Sequence, residues 1–169
     1  MIAWALLSWL LAAAPAPVAD TLPQEFDWNL PVKSWKPDTT RFSAGSGHWT
    51  LVFFFSPSCG HCHKAWPVVE EWQKRYGRNG FQVEAVASGY ANAQDLDFFA
   101  QDMGGQFVFP VFHDSAKALA TRMKVKSVPS FFLVDPQGKY HAWIGSLPAT
   151  LREVESTIAR MQRWRRSGL

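Results

Sequence analysis

Residues 48–62 read His48-Trp49-Thr50-Leu51-Val52-Phe53-Phe54-Phe55-Ser56-Pro57-Ser58-Cys59-Gly60-His61-Cys62, an apolar run closed by a Ser-Pro-Ser turn and a C-x-x-C pair. The run is short, turn-bounded and rich in aromatic and β-branched side chains, as a strand buried on both faces requires. Beyond Cys62, the residues Ala65, Trp66, Val69, Trp72 and Tyr76 recur at helical spacing up to Gly77, so the cysteines open a helix. Pro67 falls inside that helix and removes one backbone donor. The apolar stripe continues past it, which predicts a kink rather than an end.

Downstream, Phe81 to Ser88 alternates Phe81, Val83, Ala85 and Ala87 and reads as a second strand. Asn92 is the cap of a helix with Leu96, Phe99, Ala100 and Met103 on one face, ended by Gly104-Gly105. Phe109 to His113 predicts a short strand, and Ser115 the cap of a helix bearing Leu119, Ala120 and Met123. Val128-Pro129 leads into a strand from Ser130 to Val134, and Asp135-Pro136-Gln137-Gly138 turns it back into an antiparallel partner, Lys139 to Ile144. Leu151, Val154, Ile158 and Met161 form the stripe of a final helix. The order strand, helix, strand, helix, strand, helix, hairpin, helix predicts an α/β fold whose central mixed β-sheet is covered by helices on both faces.

Upstream, residues 20–44 are rich in Pro, Ser, Thr and Trp without steady periodicity and read as an extended lead-in that packs aromatics on a domain spanning 45–169. Residues 1–19 begin with an uncharged apolar stretch followed by Ala and Pro, with small-residue patterns at Ala12-Ala13-Ala14 and Ala14-Pro15-Ala16. This reads as a signal peptide or an uncleaved N-terminal anchor, too short in apolar length to span a bilayer comfortably, and implies export. The 169 residues, 47% of them hydrophobic, suit one domain. Nine Trp and thirteen Phe fill its core without a stapling disulfide. Seventeen basic residues against fourteen acidic ones leave a net charge of only +3, too little to indicate a nucleic-acid or membrane-surface binder.

The only two cysteines, Cys59 and Cys62, are therefore a reactive pair or ligands. At a helix start, two cysteines so spaced close a small disulfide loop with the first sulfur facing solvent and the second turned inward. The unpaired N–H groups of the helix end favour a thiolate at Cys59, and His61 adds positive charge or a hydrogen bond nearby. Gly60 keeps the approach to Cys59 open. Cys59 then exchanges with a substrate sulfur through a mixed disulfide that Cys62 resolves.

Strand, C-x-x-C, helix and the later Val128-Pro129 before a hairpin resemble the thioredoxin superfamily over roughly residues 45 to 165. The resemblance implies a thioredoxin fold in which Pro129 is cis and lies against the active-site sulfurs, with the Val128 backbone receiving the substrate chain as a strand. The helix-strand unit inserted after Phe81–Ser88, and Val128-Pro129-Ser130-Phe131-Phe132-Leu133-Val134-Asp135, are similar to the TlpA, ResA and cytochrome-maturation branch. This chain has Ser58 where that branch has Trp, Ala65 where it has Glu, and Phe53 where many thioredoxins carry a buried acid. Cys62-His63, Pro67-Val68-Val69 and Tyr76-Gly77 resemble the TrbB-type thiol-disulfide interchange proteins of conjugative transfer. Gly60-His61 is the dipeptide of eukaryotic disulfide isomerases, which leans the expected chemistry toward oxidation or shuffling.

Four other readings use the same residues. Cys59-Gly60-His61-Cys62-His63 satisfies the c-type haem pattern C-x-x-C-H, with His63 on the iron and Met103 or Met123 as a second axial ligand. Against it stand the buried Phe-rich strand and the mixed α/β order. A closed zinc site wants four ligands and there is no second C-x-x-C, so no metal and no cofactor is expected. A redox-idle adaptor of the same fold is the non-enzymatic alternative, and a periplasmic thiol reductase of the TlpA/ResA kind the enzymatic one. The expected partners are protein thiols or disulfides and a redox-recycling protein, with no nucleic acid and no membrane contact beyond the N-terminal anchor. Residues 20 to 45 are too few for the dimerisation domain of dimeric periplasmic isomerases, which predicts a monomer.

Overall fold

The computed structural model of the chain describes residues 25–30, 32–35, 42, 47–89, 91–144 and 149–166. The apolar segment 1–19 lies outside the described residues, as do the remaining parts of the 20–44 lead-in.

A six-stranded mixed sheet forms the centre. Its strands are β1 (Lys33–Ser34), β2 (Trp49–Phe55), β3 (Phe81–Ser88), β4 (Val111–Asp114), β5 (Ser130–Val134) and β6 (Tyr140–Ile144), in the spatial order β1-β4-β3-β2-β5-β6. β2 runs parallel to β3, and β3 to β4, whereas β5 is antiparallel to β2 and to β6, and β1 to β4. The apolar run Trp49–Phe55 is thus the central strand. Successive side chains on a strand point to opposite faces, and both faces are filled. Leu51, Phe53 and Phe55 enter one hydrophobic cluster, Val52 and Phe54 the other, all fully buried.

The first cluster is closed by α1 (Gly60–Tyr76), α2 (Ala93–Asp102) and α4 (Ala149–Arg166) through Trp66, Val69, Trp72, Leu96, Phe99, Val154 and Ile158. The second is closed by the short α3 (Ala118–Arg122) through Leu119 and Ala120, and by Phe26 with Trp28 and Phe42 from the lead-in. Helices therefore lie on both faces, as the element order requires. Among the described residues no helix is long and apolar enough to cross a membrane.

Local sequence sets the ends of these elements. Asn92 accepts the Asp95 N–H at 2.9 Å while the Asp95 carboxylate accepts the Asn92 N–H at 2.8 Å, a reciprocal cap at the start of α2. At the β5–β6 turn the Asp135 carboxylate accepts N–H bonds from Gln137 and Lys139, both at 2.9 Å, and Gly138 supplies a positive φ of 87°. α1 runs through Pro67 unbroken.

Two expectations change. The strand expected from Phe109 begins at Val111, because Pro110 accepts from the Ala85 N–H at 3.0 Å but has no N–H to return. Ser115 does not cap α3. Instead Lys117 occupies the cap position in left-handed backbone, φ 55°, and the buried Asp114 carboxylate accepts the Ala120 N–H at 2.8 Å from the end of β4.

Candidate active site

β2 ends at Phe55, and the turn Ser56-Pro57-Ser58 carries the chain to Cys59 at the N-cap of α1. Cys59 keeps extended backbone, φ −91° and ψ 108°, and its N–H donates to the Ser56 carbonyl at 3.0 Å. Its carbonyl accepts from Cys62 and His63 N–H groups at 2.9 and 3.1 Å, and its sulfur accepts from the Cys62 N–H at 3.3 Å. A helix cap is usually a Ser, Thr, Asp or Asn oxygen; here a sulfur fills that role. Helix formation itself therefore points a backbone donor at this sulfur.

Both thiols are free, Cys59 half-buried and Cys62 fully buried among Ala65, Trp66 and the inner face of β2. Burial pushes the Cys62 thiol far above its ordinary range. The hydrogen bond with Cys59 and the Cys59 charge add to the rise, while a backbone hydrogen bond at Ser56 pulls the other way. The inner sulfur is held as a thiol, and the outer one faces the surface.

Val128 reaches the same place from the other side. β5 pairs antiparallel to β2 with Ser130 opposite Phe54, so the residues just before Ser130 arrive beside the turn that follows β2. The Val128-Pro129 peptide is cis, as expected, and the Cys59 thiol donates to the Val128 carbonyl at 3.6 Å. Ser130 steadies this approach by donating its hydroxyl to the Ser127 carbonyl at 2.6 Å. Thus Cys59, Cys62, Val128 and Pro129 come together at one end of the sheet. Gly60 and His61 sit on the exposed first turn of α1, and a Cβ built at Gly60 would meet open space.

Two features of the surroundings were not singled out from sequence as part of this chemistry. Beside the Ser56–Ser58 turn lies a cleft of about 520 Å³, walled by Gly89, Asp95, Phe98, Asp102 and Lys117. Phe98 is 55% exposed there, and the helical stripe that named Phe99 for the core leaves Phe98 outside it. The second is His63, whose Nε2 donates to the Pro57 carbonyl at 2.7 Å and whose ring meets Phe99 edge-on at 4.8 Å. That nitrogen is engaged by backbone, and Met123 lies in the hydrophobic cluster on the opposite side of the sheet. The haem reading loses its iron ligand and one of its two proposed methionines.

The profile of the AhpC/TSA family matches residues 21–142. The chain belongs to the AhpC/TSA family. Among solved structures, this AhpC/TSA chain is similar to a thiol:disulfide interchange protein DsbE from Chlorobium tepidum, at a TM-score of 0.73 and 24% identity, covering 84% of this chain and 99% of that one. It is also similar to the bacterioferritin comigratory protein of Xanthomonas campestris, a protein with alkyl peroxide reduction activity, at a TM-score of 0.67 and 21% identity, covering 84% and 97%. At these identities the likeness shows the fold, which is the thioredoxin fold. In sequence, 91 residues are 34% identical to the protein disulfide-isomerase erp38 of Neurospora crassa, covering 53% of this chain and 21% of that protein. The chain thus spans about a fifth of the length of that relative. This AhpC/TSA member has the thioredoxin fold.

Proposed function

We propose that the chain is an extracytoplasmic thiol-disulfide oxidoreductase that exchanges disulfides with protein substrates, in the direction of oxidation or shuffling, with Cys59 as the exchanging sulfur and Cys62 as the resolving one. The observation that carries the reading is the division of labour between the two sulfurs. Cys59 faces the surface, accepts a backbone N–H and touches the Val128 carbonyl, whereas Cys62 is buried and held protonated.

In the oxidising direction, a substrate thiolate attacks the Cys59 sulfur of the Cys59–Cys62 disulfide. The ring S–S bond breaks and Cys62 leaves with the electron pair, taking a proton. A second substrate thiolate then attacks the substrate sulfur of the mixed disulfide and releases Cys59 as thiolate. The substrate has lost two electrons and the protein has gained them, so a recycling partner must remove them. The Val128 backbone supplies the edge along which an extended substrate segment pairs while its sulfur lies at Cys59. The apolar segment at residues 1–19 supports export, and the conjugation-type residues of α1 support service to a conjugation or secretion system.

The deciding measurement is the reduction potential of the Cys59–Cys62 couple against glutathione, paired with refolding of a reduced, disulfide-containing protein. A potential near ~−180 to ~−120 mV with refolding activity supports this reading; one near ~−270 mV speaks for a reductase. Neither exchange nor refolding would leave an adaptor.

A further inference from the structure

We propose that His63 is a positioning residue for Cys59: with its ring fixed against Phe99 and its Nε2–H bonded to the Pro57 carbonyl, it holds the Ser56–Ser58 turn that delivers the Cys59 sulfur to the helix end. The inference rests on the reading of Cys59 as the exchanging sulfur.

The turn between β2 and α1 has neither ladder nor helical bonds of its own, so its shape depends on a few local contacts. The Cys59 N–H bonds Ser56 at 3.0 Å, and the Ser56 and Ser58 hydroxyls meet at 3.1 Å. His63 adds two more contacts from one residue. Its backbone N–H donates to the Cys59 carbonyl at 3.1 Å, and its side chain donates to the Pro57 carbonyl at 2.7 Å. It therefore grips the chain on the cysteine and two residues before it. The side-chain bond is at the short end of the N–H···O range.

The ring has little freedom to swing away. Phe99 stands perpendicular to it, at 87°, and is itself only 2% exposed, locked by Phe55 at 5.1 Å and Trp66 at 4.8 Å. Because a carbonyl only accepts, Nε2 must carry a hydrogen. A histidine kept only for packing would need the Phe99 contact and not the Pro57 bond. Variants that keep one and remove the other separate the two roles.

The test uses the full chain with Cys62→Ser, so that only the first exchange step is seen. In that step the Cys59 thiolate attacks one sulfur of an aromatic disulfide probe, a new S–S bond forms and a coloured arylthiolate leaves. His63→Leu keeps apolar bulk against Phe99 without a donor and is expected to slow the reaction about fivefold, the scale of one hydrogen bond. His63→Gln restores a donor of similar reach and is expected to stay within about twofold of the parent. A folded His63→Leu protein that keeps pace with the parent, or a His63→Gln protein as slow as His63→Leu, overturns the inference. If His63→Leu fails to fold, nitrogen NMR of the unsubstituted chain decides: a neutral His63 protonated on Nε2 supports the bond, and one protonated on Nδ1 overturns it. A parent that leaves the probe uncleaved overturns the Cys59 reading and this one with it.

Discussion

The backbone N–H of Cys62 donates to the sulfur of Cys59 across 3.3 Å, while the Cys62 thiol itself is buried at the foot of the same helical turn. One residue thus supports its partner's sulfur through its main chain and withholds its own. Cys62→Ala leaves that N–H in place and is expected to accumulate mixed disulfides with protein substrates, visible on non-reducing gels and lost on reduction. Cys59→Ala leaves only the buried thiol and should trap none. Equal trapping by the two variants contradicts the assignment.

Stability should depend on pH differently in the two redox states. The folded Cys62 thiol is raised above its ordinary value of 9.0, so the folded dithiol protein retains a proton that the unfolded chain releases in alkaline solution. The stability this contributes is fully present below about pH 9 and drains away as pH rises further. The disulfide form has no such proton. Denaturant titrations of both forms between neutral pH and pH 10.5 (roughly) should therefore diverge only at the alkaline end, with the dithiol form losing more; parallel curves contradict the buried-thiol reading.

His61 sits exposed on the first turn of α1, next to the pair; in general, a cationic neighbour favours the reduced form of a cysteine pair. His61→Ser is expected to make the couple more reducing, by up to about 30 mV, or tenfold in the equilibrium with glutathione. An unchanged potential would mean that the imidazole does not act on the couple.

Trp66 ties α1 to the sheet and to the inserted segment at once, with ring contacts to Phe53, Phe55, Phe99, Phe107 and Phe109 between 4.7 and 5.8 Å. Its indole N–H reaches the Glu70 carboxylate at 3.1 Å. Trp66→Ala is expected to cost about 3–5 kcal/mol in chemical denaturation, the range for emptying a large aromatic site. A loss below about 1 kcal/mol would show that this core collapses around the gap.

Much of this architecture was legible because single side chains carry strong local rules. The uncharged run Trp49–Phe55 has no polar face to offer water, so it had to become the central strand, and Val128-Pro129 ahead of Ser130–Val134 fixed where β5 would meet the cysteines. Asn92 and Asp135 act through bonds to their own near neighbours and were readable for the same reason. What escaped depends on partners far along the chain or on main-chain atoms. β1 is only two residues long and exists because β4 offers it a ladder. The start of α3 moved from Ser115 to Lys117, and its first turn is bonded by the Asp114 carboxylate from the end of β4. The partner of His63 is the Pro57 carbonyl, which every residue type possesses, so no residue pattern announces it.

The two-residue strand β1 has an effect out of proportion to its length. It pairs antiparallel with β4 through Lys33 opposite His113 and Ser34 opposite Phe112, on the side of the sheet that would otherwise end in unpaired backbone groups. An open strand edge is a template on which a second chain can add itself, and proteins that must stay dispersed cover or shorten such edges. The described part of the lead-in therefore covers the margin of the sheet at β4, independent of anything the cysteines do, and trimming the chain back past Ser34 is expected to expose that edge.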